Sequence, residues 1–154
     1  MRKDTSSQFA TKILGPTWLP TMLTAGAPYP AAASASSTTG AYAAYLAFDR
    51  LSATEWRNDA TDDEDNLMLD LGWNQSRRPN RVRFRCPANN AYQPRQFKIQ
   101  ANANSSAAVT DAHGSANWTD LNTTYASSDH AQLTAGAFSP WITFSNTTYY
   151  RKFR

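Results

Sequence analysis

Three short runs in which apolar and polar residues alternate one for one constrain the fold of this chain more than any other feature. In residues 66–71, Leu67, Leu69 and Leu71 fall on one side and Asn66, Met68 and Asp70 on the other, and Gly72 ends the run. In residues 80–86, Val82, Phe84 and Cys86 oppose Arg81, Arg83 and Arg85. In residues 95–101, Phe97, Ile99 and Ala101 oppose Gln96, Lys98 and Gln100. A period of two is that of a β-strand, whose side chains point alternately to opposite faces. Each run therefore presents one apolar face that needs a second layer to cover it.

The rest of the chain has the same grain. Residues 87–92, PANNAY, form a turn-rich loop, and residues 102–116 a long polar one. Trp118 and Leu121 sit in a short strand over residues 117–121, and residues 138–144 and 149–153 read as two more strands, split at Ser145 and Asn146. No helical periodicity persists for three turns. Short strands with frequent turn residues predict an all-β fold, an antiparallel sandwich.

Upstream of these strands, residues 45–56 (YLAFDRLSATEW) run apolar to Phe48, turn at Asp49 with Ser52 and Thr54 inside the turn, and close on Trp56. A carboxylate at such a position gathers loose backbone groups or a bound cation. The acidic run Asp59, Asp62, Asp63, Glu64 and Asp65 reads as a solvated loop, since its spacing matches no known calcium loop. Residues 31–40 are small and polar and serve as a linker or a first strand. Residues 1–30 hold Ile13, Leu14, Trp18 and Leu19 among Pro16, Pro20, Pro28 and Pro30, a density of proline that favours an extended arm. That arm is either loose or docks on a partner through Trp18.

The chain of 154 residues, 41% hydrophobic and 18% charged, suits one core plus an arm. Its net charge of +3 is too mild for a general nucleic-acid binder and fits a glycan, phosphate or protein surface. A single cysteine, Cys86, permits no disulfide within the chain and reads as a small buried hydrophobe. No apolar run approaches a membrane span, and Arg2 and Lys3 lead into a polar stretch rather than the apolar segment of a signal peptide. With Met1 as the start, the expectation is a protein that stays in the cytoplasm of its producer or leaves by lysis or within a particle. No motif for a zinc protease, a nucleophile elbow or a phosphate loop is present, and His113 and His130 fall in polar loops, so the expectation is a non-enzyme.

Taken in order, the segments over residues 31–154 resemble the galactose-binding-like superfamily, in particular the coagulation-factor type C (discoidin) domain and related carbohydrate-binding modules. Residues 44–56 resemble its apolar-Phe-Asp-turn-Thr-x-Trp signature, and LMLDLG, residues 67–72, its aliphatic-Asp-Leu-Gly strand. RVRFRC and YQPRQFKIQAN resemble the paired strands that follow, NWTDL (residues 117–121) the short Asn-Trp-Thr segment, and YRKFR (residues 150–154) the aromatic-Arg strand near the end. The chain departs from the pattern at Arg50, where a glycine is usual, and in the long loop that replaces a short hairpin before Asn117. It also stops at Arg154, where family members add at least one more strand and an acid, so the expectation is a sandwich lacking its last strand or strands.

The resemblance implies a jelly-roll sandwich and a structural calcium held by Asp49 and Thr54. It also implies a sugar site in the end loops, where an aromatic platform pairs with polar or arginine side chains; Trp73, Tyr92 and Arg95 are the candidates. For each aromatic the alternative is a ring that covers the edge of the core. The row Arg81, Arg83, Arg85 is a site for an anion or nucleic acid, or else a solvated face or a row that pairs across strands with acids such as Asp70. The reading that reconciles an exported fold with no export signal is a bacteriophage virion protein, a tail or fibre component. Its arm would anchor it to other virion proteins, and its sandwich would meet sister subunits or a cell-surface glycan. The alternative is a carbohydrate-binding module of a larger secreted protein.

Overall fold

The structure, a computed structural model, describes residues 21–27, 29–51, 53–58, 65–85, 96–103, 107–112, 115–122, 125–126 and 136–154. Nine strands are defined there: β1 (Ala32–Ala35), β2 (Leu67–Asp70), β3 (Arg81–Val82), β4 (Gln96–Phe97), β5 (Gln100–Asn102), β6 (Thr119–Asp120), β7 (Tyr125–Ala126), β8 (Ile142–Thr143) and β9 (Lys152–Phe153). A single 3₁₀ turn over Ala44–Ala47 is the one helical element among the described residues. None of them forms a helix long and apolar enough to cross a membrane.

Every strand pairing is antiparallel. One sheet has the order β1-β2-β9-β5-β6, and the pairs β3-β8 and β4-β7 stand against it. The fold is an all-β antiparallel sandwich, as the alternating runs require. Leu69, Leu71, Ala33, Ala101 and Phe153 from the large sheet meet Val82 and Ile142 from β3 and β8, with Phe48 and Ile99 closing the gaps. Phe84 and Phe97, ring centroids 5.2 Å apart and nearly perpendicular, join the two smaller strand pairs across the core. Edge-to-face geometry lets the positive rim of one ring meet the negative face of the other.

Two features differ from the sequence reading. The run over residues 95–101 is not one strand but two. Ile99 donates its backbone N–H to the Asn122 side chain at 2.6 Å and accepts from Leu121 N–H at 2.8 Å. The chain turns there, leaving β4 on β7 and β5 in the large sheet. The second difference is on the far side of β2. Met68, expected on an open polar face, is buried beneath Ala107 and Trp118, which form a small second core outside the large sheet. The loop that carries them is pinned from below. Lys152 Nζ donates to Ala107 O at 2.6 Å, and Arg154 reaches Asp111 O at 2.6 Å while its guanidinium lies 4.4 Å from the Trp118 ring centre. Both cations are buried, and the loop carbonyls supply the acceptors that such burial demands.

Strand β9 is central, with β2 and β5 on either side, and the edges of the large sheet are β1 and β6. Met22, within the stretch read as an arm, is fully buried, and its N–H donates to Phe48 O at 3.2 Å. Residues 1–20 and Cys86 lie outside the described residues.

Candidate functional site

The register gathers one end of the large sheet into a single surface. Asp70 pairs with Ala32 on one side and Lys152 on the other, so the residues after β2 meet those that precede β1 and β9. Gly72 begins the turn at φ +86, a conformation that favours glycine, and a Cβ there would run into the Pro30 carbonyl. Its N–H donates to Asp70 Oδ1 at 2.7 Å, and Gln75 N–H returns to Gly72 O at 3.3 Å. The turn is thus fixed on both sides of Trp73, whose ring stands 72% exposed.

Beside it, Arg151 donates Nε to Asp70 Oδ1 at 2.6 Å and Nη2 to Asp70 Oδ2 at 2.8 Å, a two-pronged contact that orients the guanidinium. The same guanidinium lies 5.9 Å from the Trp73 ring centre. Tyr149, 59% exposed, sits at the same end with Arg78 at 5.6 Å from its ring centre, and Tyr29, 86% exposed, adjoins Pro30. Exposed rings next to fixed donors are what a sugar needs: an apolar face to stack on and polar groups to set its orientation.

Of the expected sugar-site residues, Trp73 therefore sits at an exposed strand end beside a cation. Tyr92 and Arg95 lie outside the described residues, as do His113 and His130. Sequence reasoning missed Arg151, Tyr149, Arg78 and Tyr29. The signal that would have found them is pairing: once β1 and β9 are both laid against β2, residues 29, 149 and 151 fall at the end that Trp73 occupies.

The Asp49 turn is closed from within. Asp49 is buried, its Oδ1 accepts from Leu51 N–H at 2.9 Å, and its Oδ2 accepts from the Thr54 hydroxyl at 2.5 Å. Trp56 anchors the far side, donating Nε1–H to Ser37 O at 3.1 Å. Arg50 takes φ +63, in the left-handed region that glycine adopts without strain. For a calcium ion the turn offers Asp49 Oδ2, Thr54 Oγ1 and Leu51 O, the last 3.2 Å from Thr54 Oγ1. Calcium takes about six to eight oxygens. No group of three or more acidic, histidine or cysteine side chains among the described residues could hold a metal.

Asp70 does not partner the arginine row of residues 81–85 but serves Arg151, with Lys152 Nζ 3.9 Å away. Arg81 and Arg83 lean on Trp141 instead, with guanidinium carbons 4.4 and 4.6 Å from its ring centre.

No family model matches the sequence, and no curated protein matches it. Among solved structures, the chain is similar to the family 32 carbohydrate-binding module from C. perfringens NanJ, solved in complex with galactose. The TM-score is 0.51 at 17% identity, over 80% of this chain and 78% of that one. The fold is galactose-binding-like. At that identity the likeness concerns the path of the chain and not its side chains.

Proposed function

We propose that this protein is a non-enzymatic glycan-binding module whose sugar stacks on Trp73. The observation that carries the reading is the Trp73 ring, held open to solvent at a strand end by Gly72 and flanked by an Arg151 guanidinium that Asp70 keeps in place. A tryptophan is costly to leave in water without a partner. The likeness to a galactose-bound module adds support, and a neutral hexose with an exposed apolar face is the ligand class that fits. This favours the carbohydrate-binding alternative over the virion reading, which rests on composition and on the leader. Such a module works where glycans are displayed, outside a cell or on a particle surface.

The test is a glycan array probed with the wild-type chain and with Trp73→Ala. Binding to galactose-bearing glycans that the variant loses is the expected result. Undiminished binding by the variant, or no binding by either, rejects the site. A structural calcium at Asp49 and Thr54 is a separate part of the proposal. It predicts a melting temperature that rises when millimolar calcium is added after chelation and that no longer responds in Asp49→Asn.

A further inference from the structure

The platform at Trp73 makes no use of Arg81 and Arg83, in β3 and just after it, and their surroundings have their own chemistry. Val82 and Ile142 are buried and paired across β3 and β8, so Arg81, Arg83 and Trp141 stand together on the outer face. Both guanidiniums lie against the one indole, and Arg83 also lies 4.3 Å from the Phe138 ring centre. Burial, and after it the neighbouring Arg81 charge, pulls Arg83 below its ordinary value. An arginine nonetheless stays a cation. No carboxylate among the described residues forms an ion pair with either side chain. Arg83 Nε is shut off from solvent and has no hydrogen-bond partner among the described residues. Aromatic contacts offset part of the cost of holding two like charges together, but they accept none of the guanidinium hydrogen bonds.

We infer that this face is a second binding site, specific for the carboxylate of an acidic saccharide. A planar pair of terminal Nη donors matches a carboxylate in two-pronged fashion, while Arg83 Nε stays shut off from solvent and the Trp141 and Phe138 rings hold the guanidiniums in place. Arg78 stands over Tyr149, and at most about 18 Å of extended chain separates it from Arg83. A chain of several uronic acid residues spans that length, whereas a nucleic acid calls for a denser basic field than these few arginines provide. The anionic half of the proposal stands on its own; the saccharide half rests on the glycan-binding reading.

Isothermal titration with tetragalacturonate, neutral galactotetraose and sodium sulfate tests it on four proteins: wild type, Trp73→Ala, the double variant Arg81→Gln/Arg83→Gln, and Arg83→Lys. The expected result is tetragalacturonate binding that weakens about tenfold or more in the double variant, falls in Arg83→Lys through loss of the fork, and survives Trp73→Ala. Circular dichroism of the double variant serves as the folding control. If that variant misfolds, Arg83→Lys alone decides. Galactotetraose binding without tetragalacturonate binding overturns this inference and leaves the Trp73 reading intact. Equal affinity for sulfate and tetragalacturonate overturns it also, as does tetragalacturonate affinity unchanged by the arginine substitutions.

Discussion

Replacing Asp70 by asparagine removes the charge on which the Trp73 end is built. Its carboxylate receives two charge-assisted hydrogen bonds from Arg151, at 2.6 and 2.8 Å, and one from Gly72 N–H at 2.7 Å. The asparagine oxygen can keep the Gly72 bond, but its amide turns a donor toward the Arg151 donors. The side chains of Asp70 and Arg151 are only 13% and 17% exposed, so the stranded guanidinium regains little water. Breaking one side of a fully buried pair costs about 3–5 kcal/mol, and the residual exposure here argues for the low end, about 3 kcal/mol. For a domain of this size that lowers the melting temperature by about 10 °C. The assay is urea unfolding of wild type, Asp70→Asn, Arg151→Met and the double variant. The two single losses should fail to add, with a coupling of about 2 kcal/mol that Lys152, 3.9 Å from the same carboxylate, keeps below the full value. A loss under about 0.5 kcal/mol in Asp70→Asn, or strictly additive singles, refutes the reasoning.

Other substitutions test separate parts of the account. Gly72→Ala forces a Cβ into the Pro30 carbonyl at a positive φ, and should cost about 2–4 kcal/mol in urea unfolding while weakening glycan binding. Arg50→Gly relieves a left-handed residue of about 1 kcal/mol while adding a similar entropy to the unfolded chain, so its unfolding midpoint should match or exceed wild type; a clear drop contradicts the strain assignment. Burial raises the Asp120 carboxyl, but hydrogen bonds from Lys98 and Gln100 and the Lys98 charge outweigh it and hold the group below its ordinary value. Hydrogen bonds from the Ala108 backbone and Asn117 do the same for Asp111. A depressed carboxyl contributes stability that is complete above its unfolded value and is lost as the pH falls through the folded one. Stability against urea should therefore drop below about pH 4, and Asp120→Asn should flatten that drop.

The large sheet was legible because β2 carries leucine on one side and Met68 and Asp70 on the other, and its pairing then dictates the rest. Short strands were overextended for a physical reason: alternation reports which way side chains face, not where the ladder breaks. Ile99 obeys the alternation and still sits at a corner, because the Asn122 side chain captures its N–H. Met68 was misjudged because the loop that covers it is polar in sequence. Only Trp118, Ala107 and the carbonyls that receive Lys152 and Arg154 make it a lid. At the candidate site, Trp73 was visible as an aromatic beside a strand-ending glycine. Arg151 was hidden because its neighbour across the sheet lies 81 residues away in sequence.

The most direct measurement is a titration of the ¹⁵N-labelled chain with galactose, followed by NMR. The account predicts saturable shifts of the Trp73 indole N–H and the Gly72 and Arg151 amides, with the Trp118 indole, enclosed under its loop, unmoved. Shifts that leave Trp73 still, or none at all with galactose and galactose-bearing oligosaccharides, would contradict it.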